Sequence, residues 1–187
     1  MADETGYYFD EDSQAIEYIE QSIDSENKLL LAFANAHTIN EANSSLAFKN
    51  ALGKFTVLPD GIGVDLAAKY KYGKKFKENL NGTDFVPAFL EQSHKKRVYL
   101  VGGKEGIAEK VLATWSSRYP QHEWVGAHHG YLTESKSIQL CKEVSELNID
   151  VLIVAMGNPK QELWISEFAT LHDAKISIGV GALFDFV

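Results

Sequence analysis

The chain has 187 residues, 45% of them hydrophobic and 24% charged, with a formal net charge of −8. That length suits one domain, residues 1–187, large enough for a sizeable core, and no apolar run approaches the roughly 20 residues needed to cross a bilayer. The acidic balance argues against nonspecific nucleic-acid binding, which needs a basic surface to displace counterions. Cys141 is the only cysteine, so no disulfide forms within the chain, which fits a reducing cytoplasm. The start, Met1-Ala-Asp-Glu-Thr5, lacks the basic-then-apolar pattern of a signal peptide.

Strand-like and helix-like segments alternate along the chain. Asp10-Glu11-Asp12 has the spacing of a metal-binding Asp-x-Asp, but it precedes any convincing strand and reads as a solvated helix start. Ala15, Ile16, Ile19 and Ile23 recur at helical spacing, and Leu29–Ala34 is a buried strand ending at Asn35. Ala42–Leu52 reads as a helix closed by Gly53, and Phe55–Leu58 as a short strand before Pro59-Asp60-Gly61. Val64–Tyr72 is predicted helical up to Gly73. Thr83 or Asp84 can cap a helix over Phe85–Gln92. Arg97–Val101 is a strand running into Gly102-Gly103, followed by a helix over Gly106–Tyr119. Trp124-Val125 is a short strand before the loop Gly126-Ala-His-His-Gly-Tyr131, and Ser135–Leu147 is a helix. Val151–Met156 is a continuous apolar run, the mark of a strand buried on both faces. It stops at Gly157, with Asn158 as N-cap and Pro159 at the first turn of a helix that continues over Gln161–Leu171. Lys175–Gly179 is the last strand. Repeated βα units of this length predict an α/β fold, a mainly parallel sheet with helices on both faces.

Four loops fall at carboxyl ends of predicted strands: Asn35–Asn40, Pro59–Gly63, Gly102–Gly106 and Gly157–Glu162. Open α/β sheets bind their ligands at that edge. Lys160, Gln161 and Glu162 stand where a helix start favours an anion, although an ordinary turn with a solvated polar face reads equally well. The stretch Gly102-Gly103-Lys104-Glu105-Gly106 brings backbone N–H groups close to a phosphate, yet it has neither the dinucleotide-binding glycine spacing nor the ending of a P-loop. Asp60, between Pro59 and Gly61, is a candidate general base on a sugar hydroxyl; locally it reads as readily as an Asx turn or cap. Asp65 competes with it but falls inside the predicted helix. His128-His129 lacks a partner at ligand spacing, so no metal site is expected there. Tyr131 either stacks on a nucleobase or packs under its loop. No nucleophile elbow occurs.

Taken together, Asn35-Ala-His, Pro59-Asp-Gly-Ile-Gly-Val64, Gly82-Thr-Asp84, Val98-Tyr-Leu-Val-Gly-Gly103, His129-Gly-Tyr131, Gly157-Asn-Pro-Lys-Gln-Glu162 and Ile178-Gly-Val-Gly-Ala-Leu-Phe-Asp-Phe186 resemble the WecG/TagA/CpsF glycosyltransferases, in family order. The resemblance implies a Rossmann-like transferase that takes an N-acetylmannosamine-type sugar from a UDP-sugar donor. The implied acceptor is an undecaprenyl-diphosphate-linked sugar at the cytoplasmic membrane face, for teichoic acid, common antigen or capsule. It implies no metal and no other cofactor, Asp60 as catalytic base, and Asn35, Tyr131, Gln161 and Asp185 lining the nucleotide-sugar pocket. Thr83, Asp84, Gly102, Gly103, Gly157, Asn158 and Lys160 fall in the same matched segments and are expected to contact substrate. Many members carry Thr two residues before the motif asparagine, where this chain has Phe33.

The expected function is therefore inverting, metal-independent glycosyl transfer, with glycine-loop N–H groups and Lys104 or Lys160 offsetting diphosphate charge. Two rivals are a non-catalytic nucleotide-sugar binding domain and a nucleotide-dependent oxidoreductase, the latter weakly served by the incomplete glycine fingerprint. A homo-oligomer is compatible with the family, but no stripe marks an interface. Nothing after Phe184 and Phe186 covers them, and family members continue with a basic, aromatic appendage that reaches the membrane. The expectation is that the natural protein continues likewise, with that segment docking beside Asp60.

Overall fold

A computed structural model describes residues 12–23, 28–61 and 80–187. Asp10 and Glu11, Gly63, Asp65 and the helix predicted over residues 64–72 lie outside the described residues. Six strands, β1 (Leu29–Ala34), β2 (Thr56–Pro59), β3 (Arg97–Gly102), β4 (Glu123–His128), β5 (Val151–Ala155) and β6 (Ile176–Gly179), form one sheet in the order β2-β1-β6-β5-β3-β4. Every pairing is parallel. The α/β, Rossmann-like expectation holds.

Helices cover both faces because each central strand is apolar on both. In β1, Leu29, Leu31 and Phe33 face one core and Leu30 the other; β5 divides likewise, Val151 and Ile153 from Leu152 and Val154. The first core receives α1 (Asp12–Ile23), α4 (Gly82–Gln92) and α5 (Ile107–Arg118), and the second receives α6 (Glu134–Glu146) and α7 (Lys160–Phe168). Helix α1 buries the four residues whose spacing predicted it, Ala15, Ile16, Ile19 and Ile23.

Several boundaries differ from expectation for local reasons. The helix expected over Ala42–Leu52 is two, α2 (Ala36–Ser44) and α3 (Leu46–Leu52). Ser45 ends one in an extended conformation and caps the other by accepting a bond from Phe48 N. The cap of α4 is Asn81, whose oxygen accepts from Asp84 N at 3.0 Å, not Thr83 or Asp84. Strand β4 runs to His128, well beyond Trp124-Val125, because parallel pairing with β3 carries it on. Phe184, expected to lie uncovered, is buried edge-on against Trp115 with ring centroids 6.1 Å apart; Phe186 is 72% exposed.

The strand order locates a site before any side chain is considered. After β3 the chain moves outward to β4, and after β5 it moves the other way to β6, although β3 and β5 are neighbours. Their carboxyl ends therefore flank a topological switch point, where open sheets form a crevice. The strands meet closely there. Gly103 N donates to Ala155 O at 3.0 Å, and Gly130 N to Gly103 O at 2.9 Å, tying the ends of β3, β4 and β5 together. A Cβ on Gly102 would stand 2.3 Å from Ala155 O, inside the backbone itself.

Two stability outcomes follow. Gly102→Ala should cost at least about 2 kcal/mol, since no flexible side chain can yield to the added methyl; an unchanged urea midpoint would show that the strands simply separate. His172 is 1% exposed with neither ring nitrogen hydrogen-bonded. Burial, then Lys28 nearby, lower its pKa from 6.5 to about 4, with Asp173 opposing. A depressed histidine stabilises fully above the unfolded pKa, and the contribution disappears as pH falls from about 6.5 towards 4, at most about 3 kcal/mol. His172→Phe should flatten that part of the stability–pH curve measured by urea denaturation.

Candidate active site

Two cavities open side by side at the carboxyl edge, sharing Gly181 and Ala182 as their common wall. The larger, about 550 Å³, sits over the switch point. Its lining includes Gly103, Lys104 and Ile107 after β3, Gly130 and Tyr131 after β4, Met156, Gly157 and Lys160 after β5, and Phe184 and Asp185 after β6. The N-cap of α5, Gly106, supplies no side-chain bond, and although Ile107 N–H donates to Lys104 O at 3.0 Å, the positive end of the helix dipole stays open to an anion. Lys160 Nζ donates to Gly130 O at 2.8 Å and lies 5.0 Å from the centroid of the Tyr131 ring. Tyr131 is thereby held by a cation against its face while 64% of it stays exposed. A helix start, two lysines and an exposed ring suit an anion joined to a flat aromatic group.

The smaller cavity, about 240 Å³, lies over the ends of β1, β2 and β6. Asn35 caps α2 through a reciprocal pair: its Oδ1 accepts from Thr38 N at 3.1 Å and Thr38 Oγ1 accepts from Asn35 N at 3.3 Å. That fixes the Asn35 amide so that Nδ2 points to Asp60 Oδ2 at 3.4 Å. Asp60 is itself anchored by its N–H, which donates to Ala34 O at 2.8 Å. Burial raises the Asp60 pKa above its ordinary 3.8, and the Asn35 bond opposes that rise. A half-buried carboxylate with one held hydrogen bond and space before it has the character of a general base.

The floor of the smaller cavity is polar and buried. Gln161, 2% exposed, accepts from Gly181 N at 2.9 Å and donates to Glu162 Oε1 at 2.8 Å. Glu162 is fully buried, and Oε2 has no hydrogen-bond partner. Desolvation raises its pKa; the Gln161 bond, its own backbone N–H and the neighbouring Asn158 amide oppose this. That amide is close enough to favour the charged carboxyl, yet neither of its polar atoms has a hydrogen bond of ordinary geometry.

The expected residues thus divide. Gly103, Tyr131, Gly157, Lys160 and Asp185 meet in the larger cavity, while Asn35, Asp60, Thr83, Asn158 and Gln161 meet in the smaller one. Gly102 lies beneath the edge as a packing position. Asp84 lines neither cavity; its Oδ2 accepts from Asn81 Nδ2 at 2.8 Å. Gly103 N–H is taken by Ala155 O, so it does not serve a phosphate. Asn158 does not cap α7, whose N-cap is Pro159, and Gln161 and Glu162 are buried where a solvated face was the local alternative. The sequence reading left out Thr38 and the buried role of Glu162. Thr38 carried a signal, since Asn35 and Thr38 stand at capping-box spacing. Among the described residues no three His, Cys, Asp or Glu side chains gather to hold a cation. The His128 and His129 rings lie against each other at a tilt of 49°, with centroids 4.3 Å apart.

A model of the WecG/TagA/CpsF glycosyl transferase family matches residues 5–187. Three proteins named N-acetylglucosaminyldiphosphoundecaprenol N-acetyl-beta-D-mannosaminyltransferase are similar. The one from Bacillus subtilis (strain 168) is 31% identical over 131 residues, 69% of this chain and 50% of the relative. The one from Staphylococcus aureus (strain MRSA252) is 26% identical over 160 residues, 84% of this chain and 62% of the relative. The one from Bacillus spizizenii (strain ATCC 23059 / NRRL B-14472 / W23) is 28% identical over 131 residues, 69% and 50% of the two chains. Aligned segments thus cover 50% to 62% of those relatives. With the motif loops converging on one edge of a parallel sheet, and the family model matching nearly end to end, the chain belongs to the WecG/TagA/CpsF family of glycosyl transferases.

Proposed function

We propose that this protein transfers an N-acetylmannosamine-type sugar from a UDP-sugar to a lipid-linked acceptor sugar on undecaprenyl diphosphate, for cell-surface polysaccharide. The observation that carries the reading is the pair of adjoining cavities, with a cationic, helix-capped one beside one that holds an anchored carboxylate. The larger suits a nucleoside diphosphate: Tyr131 offers a face for the uracil, and Lys104, Lys160 and the start of α5 face the diphosphate. Pockets of drug-sized ligands begin at about 300 Å³, so the smaller cavity suits one sugar ring. The relatives' names supply the sugar and the lipid-linked acceptor.

In the reaction, the Asp60 carboxylate takes the proton of the acceptor hydroxyl. The freed oxygen pair bonds to the anomeric carbon as the bond from that carbon to the diphosphate oxygen breaks, with inversion. UDP leaves with the bonding electrons, its charge offset by the two lysines and the helix start in place of a cation. The acceptor's lipid requires work at the inner membrane surface. No helix among the described residues is long and apolar enough to cross a membrane.

Asp60→Asn should bind UDP as the native protein does and lose transfer by at least about 100-fold, the lower range for removing a general base. In the native protein transfer should climb with pH through the raised Asp60 pKa and fade below it, because only the carboxylate accepts the proton. Full turnover by the Asn variant on a lipid-linked acceptor would move the base elsewhere. UDP affinity measured by calorimetry should be nearly equal with magnesium and with a chelator; a large loss on chelation would mean that a cation holds the diphosphate.

A further inference from the structure

The wall between the two cavities is held by a chain of hydrogen bonds that starts from a buried carboxyl in the floor of the smaller one. Gly181 N donates to Gln161 Oε1 at 2.9 Å, and Gln161 Nε2 donates to Glu162 Oε1 at 2.8 Å. A side-chain amide can turn over, exchanging oxygen for nitrogen. Turned over, Gln161 would set its NH2 against the Gly181 N–H, donor to donor. What holds it the right way is an acceptor on its far side, and Glu162 Oε1 is that acceptor whether the carboxyl is charged or neutral. The fit is tight as well as polar, for a Cβ on Gly179 would stand 3.0 Å from Gln161 Nε2.

Gly181 begins the turn that carries Ala182 and Asp185 towards the larger cavity and Phe186 towards the smaller. Moving Gly181 therefore reshapes both cavities at once. Burying Glu162 is costly, because its carboxyl is fully enclosed with one oxygen unpartnered, and a group so placed calls for a reason. We propose that Glu162 is a positioning residue of the donor site: through Gln161 it fixes Gly181, and with it the wall on which the nucleotide and its sugar meet. The proposal rests on the donor reading given above.

The test compares Glu162→Leu, which removes the acceptor, with Glu162→Gln, which keeps an oxygen for Gln161. Hydrogen exchange at Gly181 and the UDP dissociation constant are read together. The Leu variant should exchange faster at Gly181 while the β3 amides Val98–Val101 stay protected, and its UDP dissociation constant should rise about tenfold. The Gln variant should stay near the native protein in both. Gln161→Met breaks the same chain at its middle and carries the same expectation where the Leu variant does not fold. Unchanged protection at Gly181, or native UDP affinity once that protection is gone, overturns the proposal. If the native protein itself binds no UDP, the donor reading falls instead, and exchange at Gly181 still decides whether Glu162 governs the wall.

Discussion

The constraint on which the site depends is the contact between β3 and β5 at their carboxyl ends. Gly102 lies so close to the Ala155 carbonyl that any side chain there would overlap it, and the next residue donates its N–H to that same carbonyl. A parallel sheet needs long crossover connections, so its neighbouring strands come from distant parts of the chain. Here the closest contact joins strands whose connections depart in opposite directions. The crevice above it is the direct consequence. Gly130, drawn in by its bond to Gly103 O, then brings Tyr131 over one side of that crevice.

Around this rigid base the polar groups follow two designs. Those facing the larger cavity are open to solvent and mainly positive: Lys104, Lys160 and the start of α5, with Asp185 as the one acidic group among them. Those beneath the smaller one are neutral or acidic and enclosed: Asn158, Gln161 and Glu162, with Asp60 at the rim. An exposed positive surface attracts an anion and releases it again, since water and salt screen the attraction. An enclosed polar floor instead fixes geometry, because turning a buried amide or carboxyl leaves a group unsatisfied. The two cavities thus differ in character, one open and mainly positive and the other enclosed and polar, across one shared wall.

Asp60 shows how position alone changes a carboxyl's chemistry. Its own backbone bond ties it to the end of β1, the strand beside its own, and Asn35 reaches it from the cap of α2. The capping pair with Thr38 fixes the first turn of that helix and points the amide in the same stroke. Burial then makes the charged form less comfortable, which strengthens it as a base.

By itself the sequence determined the elements and the class of fold. Short continuous apolar runs such as Val151–Ala155, ended by a glycine turn, suit strands covered on both faces, and the spacing of Ala15, Ile16, Ile19 and Ile23 suits a helix buried on one side. The ordered motif loops also carried the resemblance to the family, whose model matches residues 5–187. What sequence spacing does not hold is the pairing between distant segments. Whether Gln161 faces solvent or Gly181, and whether Asp84 lines a site or only accepts a bond from the cap residue Asn81, depends on which groups lie opposite in space. Phe184 finding Trp115 is a decision of the same kind. The tertiary structure alone decided that the motif residues fall into two cavities, because only the order of strands in the sheet puts the ends of β1, β3, β5 and β6 along one edge.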